Sequence, residues 1–356
     1  MRSLAVVTTT AVMVLVGVAS AQNAGPVASP TAAPAGPAPA VPGAPIETAL
    51  QAYALYQDDM TELRTLRVGS ANDLEAVIDR ASRHNRDALS RGWIAYGALT
   101  AAQSPEFVAG VRQAAAYYGR EAVLRGMQID TGYARLLPGG DAATRMLLNN
   151  AAADGQRIVA VADRYQELAY SLQRQRWANT VAPQQAQRVQ RVRGLTAAGT
   201  AGAQFAALSG RVPQGAAAVT VSDASAFGGQ RFWDAVRPGA PVVREVAAPV
   251  SFQWRIKPER QEALNRMTTI AGMMALDAAG DRSTQVTQLL DEPRSRDCIE
   301  MAHLQLYQCM SAARFRYENA FCLSQHAIRD VGSCVSGVAM PDASAASALP
   351  ATVPGR

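Results

Sequence analysis

The sequence predicts an all-α protein: an elongated multi-helix bundle with a small irregular or β insertion and a disulfide-stapled C-terminal helical hairpin. Three observations carry this. Ala, Leu, Gln, Arg and Glu dominate residues 46–193, with few β-branched residues. Strand-like runs are confined to a Gly- and Pro-rich stretch at 194–257. All four cysteines fall between positions 298 and 334, inside a helical pattern.

Residues 1–21 are expected to be a signal peptide. Arg2 supplies a positive start, residues 4–18 are apolar though diluted by Thr8, Thr9 and Thr10, and Ala19-Ser20-Ala21 is a small-x-small cleavage pattern. The competing reading, an uncleaved anchor, is disfavoured because the apolar run is short and Thr-rich. No later run reaches 18 apolar residues, so no transmembrane segment is expected after cleavage. The expected location is the periplasm. Residues 22–45 carry seven prolines and no acidic or basic residue until Glu47, the composition of a disordered Pro/Ala-rich tether.

The helical body, 46–193, opens on Leu50, Tyr53, Ala54, Gln57, Met60, Leu63 and Leu66 at a spacing near 3.6, with Asp58, Asp59 and Glu62 on another face. Ser70 and Asp73 form a relative of the capping box. Ser104-Pro105-Glu106 reads as cap, proline at the first helical position and acid in the first turn. Residues 137–141 stop one helix and start a long one, expected to run to about Ala178. In the insertion, 194–257, Val219-Thr220-Val221 and the alternating Val250, Phe252, Trp254 and Ile256 suggest a β-hairpin or a boundary between helical lobes. Helix returns over 258–336, and residues 337–356 read as a disordered tail. Gly92-Trp93-Ile94-Ala95-Tyr96-Gly97 is similar to part of a tetratricopeptide, but the remaining positions of that repeat are not followed.

An even number of cysteines in an exported chain points to disulfides. On a helix of about 100° per residue, Cys298 and Cys309 share a face but lie about 16 Å apart, too far to bond each other. The consistent solution is nested bridges across a helical hairpin, Cys309–Cys322 inside and Cys298–Cys334 outside. Cys322 and Cys334 are about 120° out of phase, so Gly332 is expected to unwind the last turn. The layout is similar in principle to twin-cysteine helical hairpins, with a different spacing. The close cysteine pairs of zinc sites are missing, so neither metal nor cofactor is expected.

Catalytic patterns are sparse. Gly-x-Ser-x-Gly and Ser-x-x-Lys are absent, and Lys257 is the only lysine. Of the three histidines, His84 reads as solvated, and His303 and His326 fall at comparable levels of the hairpin, as a surface pair or an acid–base or metal pair. Arg125-Gly126-Met127-Gln128-Ile129, followed by Thr131 and Ala134, resembles the Gly-Leu-Met-Gln segment of lytic transglycosylases. That resemblance implies a Glu-Ser general acid upstream, whereas Glu106 and Glu121 precede Phe and Ala.

Charge is more informative. The chain carries 34 Lys or Arg against 29 Asp or Glu, a net +5 that does not call for a nucleic acid partner. Between Glu167 and Asp223 no acidic residue occurs, and Arg174, Arg176, Arg188, Arg191 and Arg193 form a candidate face for an anionic partner. Gln184, Arg188 and Arg191 can share one helical side. Arg314, Phe315, Arg316 and Tyr317 are candidate contacts at the hairpin tip. The expected role is non-catalytic: a structural, scaffold or assembly protein of the bacterial envelope, touching an envelope protein or an anionic envelope polymer. The alternatives are a peptidoglycan-active enzyme, with Glu106 or Glu121 as acid, and a helical carrier of a small ligand.

Overall fold

Gly92 lets two helices approach closely at the centre of the fold. A side chain there would meet the Ala49 carbonyl oxygen at 2.6 Å and the Tyr53 nitrogen at 2.8 Å. Only glycine lets α3 (Arg86–Ala102) lie so tightly against α1 (Ala44–Thr65). Every residue from Gly92 to Ala102 is buried, so α3 is apolar all round, as a central helix must be. The computed structural model describes residues 44–195, 233 and 254–341.

The other elements wrap this centre. Ser70 caps α2 (Ala71–Ala81) by accepting from the Asp73 amide. Ser104 caps α4 (Pro105–Tyr118) by accepting from the Phe107 amide. Gly119, at φ 90°, turns the chain sharply into α5 (Arg120–Ile129). After α6 (Tyr133–Leu136), Gly139 at φ 79° starts the 33-residue α7 (Gly140–Leu172). Helix α7 spans about 50 Å. It stops at Leu172, short of the expected end near Ala178, in a series of turns such as Gln175 N–H donating to the Leu172 carbonyl. Helix α8 is Gln185–Gly194.

Strand β1 (Trp254–Ile256) leads through a 3-10 turn (Pro258–Arg260) into α9 (Gln261–Ala275), which packs on the far side of α3. Helices α10 (Ser283–Leu290) and α11 (Pro293–Ala312) follow, then α12 (Arg316–Cys322), a π-helical segment (Leu323–Asp330), α13 (Val331–Ser336) and β2 (Ala339–Pro341). Strand β1 pairs antiparallel with β2, Arg255 opposite Met340. Among the described residues, β1 finds its partner in the segment expected to be a disordered tail. Val219-Thr220-Val221 lies outside the described residues.

Both expected bridges are present. Cys309–Cys322 closes the inner loop and Cys298–Cys334 the outer, with Cα atoms 5.6 and 5.8 Å apart. The phase problem is solved without unwinding at Gly332, which lies within α13. A π-helix takes about 4.4 residues per turn, near 82° each. Over the 8 residues of the π segment this retards the chain enough to bring Cys322 and Cys334 within about 25° of one face.

Candidate functional site

The Arg-rich stretch does not form one open face. Arg188 is buried, and its guanidinium donates to both oxygens of Glu75 in α2 and to the Pro183 carbonyl. Arg191 is exposed and pairs with Asp79, one helical turn further along α2, at 3.4 Å. Gln184 sits ahead of α8 in a left-handed conformation rather than on its side. Residues 188 and 191 thus hold α8 to α2, a correction to the expected docking face. Arg193 is exposed on the last turn of α8. Arg174 and Arg176 lie apart from these, exposed in the turns after α7.

The hairpin tip is likewise partly spoken for. The Ala182 amide donates to the Arg314 carbonyl at 2.9 Å, and the Arg316 guanidinium donates to the Trp177 carbonyl at 2.9 Å. The Tyr317 amide donates to the Ala178 carbonyl, and Phe315 bridges to Val181. The tip therefore clasps the turns that carry Arg174 and Arg176.

That clasp builds a groove of about 450 Å³ between the end of α7 and the inner disulfide. Ala169, Ala312 and Ala313 leave the space, and the Cys309–Cys322 bridge forms part of its wall. Tyr170, Tyr317 and Phe321 supply aromatic walls, with Tyr170 51% and Phe321 37% exposed. The Tyr170 and Phe321 rings are 6.4 Å apart, and Tyr317 stacks on Phe315 at 5.8 Å. The groove's one acid, Glu318, accepts the Phe315 amide at 2.8 Å and the Arg314 amide, so its charge is engaged at the start of α12. The rim charge is positive. Arg174 and Arg176 follow directly from Gln173, which lines the groove, and make no ion pair among the described residues. Arg314 is exposed beside them, its guanidinium over the Phe315 ring.

No family model, curated protein or solved structure matches the chain. The site is therefore argued from its own chemistry. Among the described residues, no three His, Cys, Asp or Glu side chains are grouped to hold a metal ion. No helix among them is long and apolar enough to cross a membrane. Glu106 is exposed in the first turn of α4, and Glu121 is exposed and bridged by Arg120 and Arg282. Neither lines the aromatic groove.

The histidines depart from expectation. His84 is buried, its Nε2 2.8 Å from Asp59, which also receives Arg80 and Arg83. Burial acts to raise the Asp59 pKa, but His84 and Arg83 together outweigh it and hold the carboxyl below its usual range. His303 is buried too, and its Nδ1 has no hydrogen-bond partner among the described residues. Burial, then the fields of His84 and Arg86, push its pKa down to about 3. His326 instead pairs with Asp330 at 2.8 Å, while His303 is buried elsewhere in the hairpin.

A second polar centre escaped the sequence reading. Asp154, fully buried in α7, accepts from the Tyr53 hydroxyl at 3.1 Å and the Trp233 indole at 2.9 Å. Asn150 donates to Tyr96, and Arg157 to the Gln57 carbonyl at 2.9 Å. Burial, then the Asp154 charge, push the Tyr53 and Tyr96 hydroxyls well up. All seven residues are buried, so the cluster fixes α1, α3 and α7 together. Its signal was there to read: an Asp-Gly pair in the middle of a long helical run.

Proposed function

We propose that this protein is an exported, non-catalytic docking component of the bacterial cell envelope. Its aromatic groove holds an apolar, acid-flanked segment of an envelope protein. The observation that carries the reading is the pairing of an open, ring-lined groove with a rim whose exposed cations, Arg174 and Arg176, make no ion pair among the described residues. Aromatic rings in a partly exposed hollow supply contact energy, and rim charges supply steering and selection. Export is supported by the leader-like residues 1–21 and by the absence of free cysteine.

The test is photocrosslinking in cells that export the protein, with a photoreactive phenylalanine analogue at Tyr170. One discrete protein adduct is expected, weakened by salt and lost in R174E/R176E. Absence of an adduct, or an adduct indifferent to charge reversal, overturns the reading. Retention on purified cell wall in place of an adduct makes an anionic polymer the occupant.

A further inference from the structure

The chain itself carries a segment that suits the aromatic groove. Residues 22–43 lie outside the described residues, have no charged side chain and hold prolines at 26, 30, 34, 37, 39 and 42. They end where α1 begins, at Ala44. Pro34 and Pro37 are three residues apart, and so are Pro39 and Pro42. Three residues make one turn of polyproline II, so each pair can present two rings on one side.

The groove's chemistry fits such a run. Proline has no backbone N–H, so a proline-rich segment offers ring faces and carbonyl acceptors but few donors. Its complement is a set of aromatic faces edged by N–H and O–H donors, the mode in which ring-lined grooves take proline-rich segments. Tyr170, Tyr317 and Phe321 supply the faces. Gln173 in the lining, and Arg174 and Arg176 beside it, supply donors. The one acid of the lining, Glu318, already accepts the Phe315 and Arg314 amides.

Reach decides which copy supplies the segment. Helices α1 and α7 run parallel, since Tyr53 meets Asp154, Gln57 meets Arg157 and Leu63 meets Arg164. At about 1.5 Å per residue, Ala44 lies roughly 14 Å behind the level of Asp154, and Ala169 to Gln173 roughly 22–28 Å ahead of it. The groove is therefore about 36–42 Å from Ala44 along the bundle. Pro37 is seven residues before Ala44, a reach of at most about 25 Å fully extended, and Pro39 and Pro42 are nearer still. Neither proline pair can enter the groove of its own chain.

We propose that the groove of one copy takes residues 34–42 of a second copy. This rests on the reading of the groove as a docking site and adds self-association to it. The contact is heterologous, so it closes when two copies exchange these segments and otherwise extends into chains.

Sedimentation equilibrium on the full exported chain tests it, joined to photocrosslinking from Tyr170 in an equal mixture of light- and heavy-isotope protein. The weight-average mass is expected to rise with concentration and to be indifferent to salt, because the segment is uncharged. Association is expected to weaken about tenfold or more in P34S/P37S/P39S/P42S, whose positions precede the first helix, and in Y170A. A synthetic peptide of residues 33–43 is expected to return the protein to monomer. Crosslinks from position 170 are expected to join light to heavy chains at residues 34–42. Y118A, outside the lining, is expected to associate as the parent does. A monomer at every concentration up to about 1 mM, association kept in the proline variant, or crosslinks confined to one isotope label overturns the proposal. The salt-sensitive adduct with an envelope protein is expected to survive in the proline variant, so its loss or absence is a separate failure.

Discussion

Arg188 donates two hydrogen bonds to the carboxylate of Glu75, a residue 113 positions earlier in the chain. The pair converts a basic stretch that looks free in the sequence into a clasp between α8 and α2. The guanidinium is buried while the carboxylate is partly exposed, so the cost of separating them falls mainly on the arginine.

Glu75→Gln removes the charge and keeps the shape. It is expected to destabilise the fold by about 1–3 kcal/mol, because Arg188 stays buried with only neutral acceptors. Urea denaturation followed by circular dichroism measures this. A midpoint equal to the parent's would show that the pair contributes nothing net.

The two bridges are expected to contribute unequally. On the loop-entropy account, C309S/C322S costs about 3 kcal/mol and C298S/C334S about 4 kcal/mol, since the outer bridge closes 36 residues of separation and the inner 13. Paired urea titrations give the order, and the reverse order would place native-state effects above chain entropy.

His303 makes the fold sensitive to mild acid. Its folded pKa, near 3, lies below the ordinary value of 6.5, so the unfolded chain binds the proton first. Its contribution to stability is whole above about pH 6.5 and is lost progressively toward pH 3, by several kcal/mol in all. His303→Leu is expected to flatten the stability profile across that window. An unchanged slope would show that the ring is not buried neutral.

Asp59 titrates in a lower window. Its folded pKa is depressed, so the stability it contributes is present above about pH 4 and disappears as the pH falls through the lowered value. Asp59→Ala leaves Arg83 and His84 without their buried counter-charge. A loss of about 3 kcal/mol or more is expected at neutral pH, seen as a fall in melting temperature.

Helix starts and bridges were legible because their signals are local. Ser70 and Ser104 cap within three residues, and the cysteine spacing alone selects one pairing once both arms are helical. Partnerships across the chain were not. Asp59 reads as one of three acids on a wet face until Arg83 and His84 fold over it, and His84 reads as wet for the same reason. Strand β1 shows its alternation, but nothing in Trp254 or Ile256 names Pro341 or Ala339 as its neighbour. Of the aromatic groove, the Cys309–Cys322 wall, Tyr317 and the flanking Arg174, Arg176 and Arg314 stood out. Tyr170 and Phe321 belong to different helices, and their nearness is a product of packing.

The π-helical segment works as a phase shifter between two crosslinks. Removing or adding a single residue within 323–330 would swing Cys334 around its axis by about 80–100° relative to Cys322. The thiol would then face away from Cys298 and be left to react elsewhere. Within this stretch the count of residues is held more tightly than their identity, so substitutions there should be far better tolerated than indels.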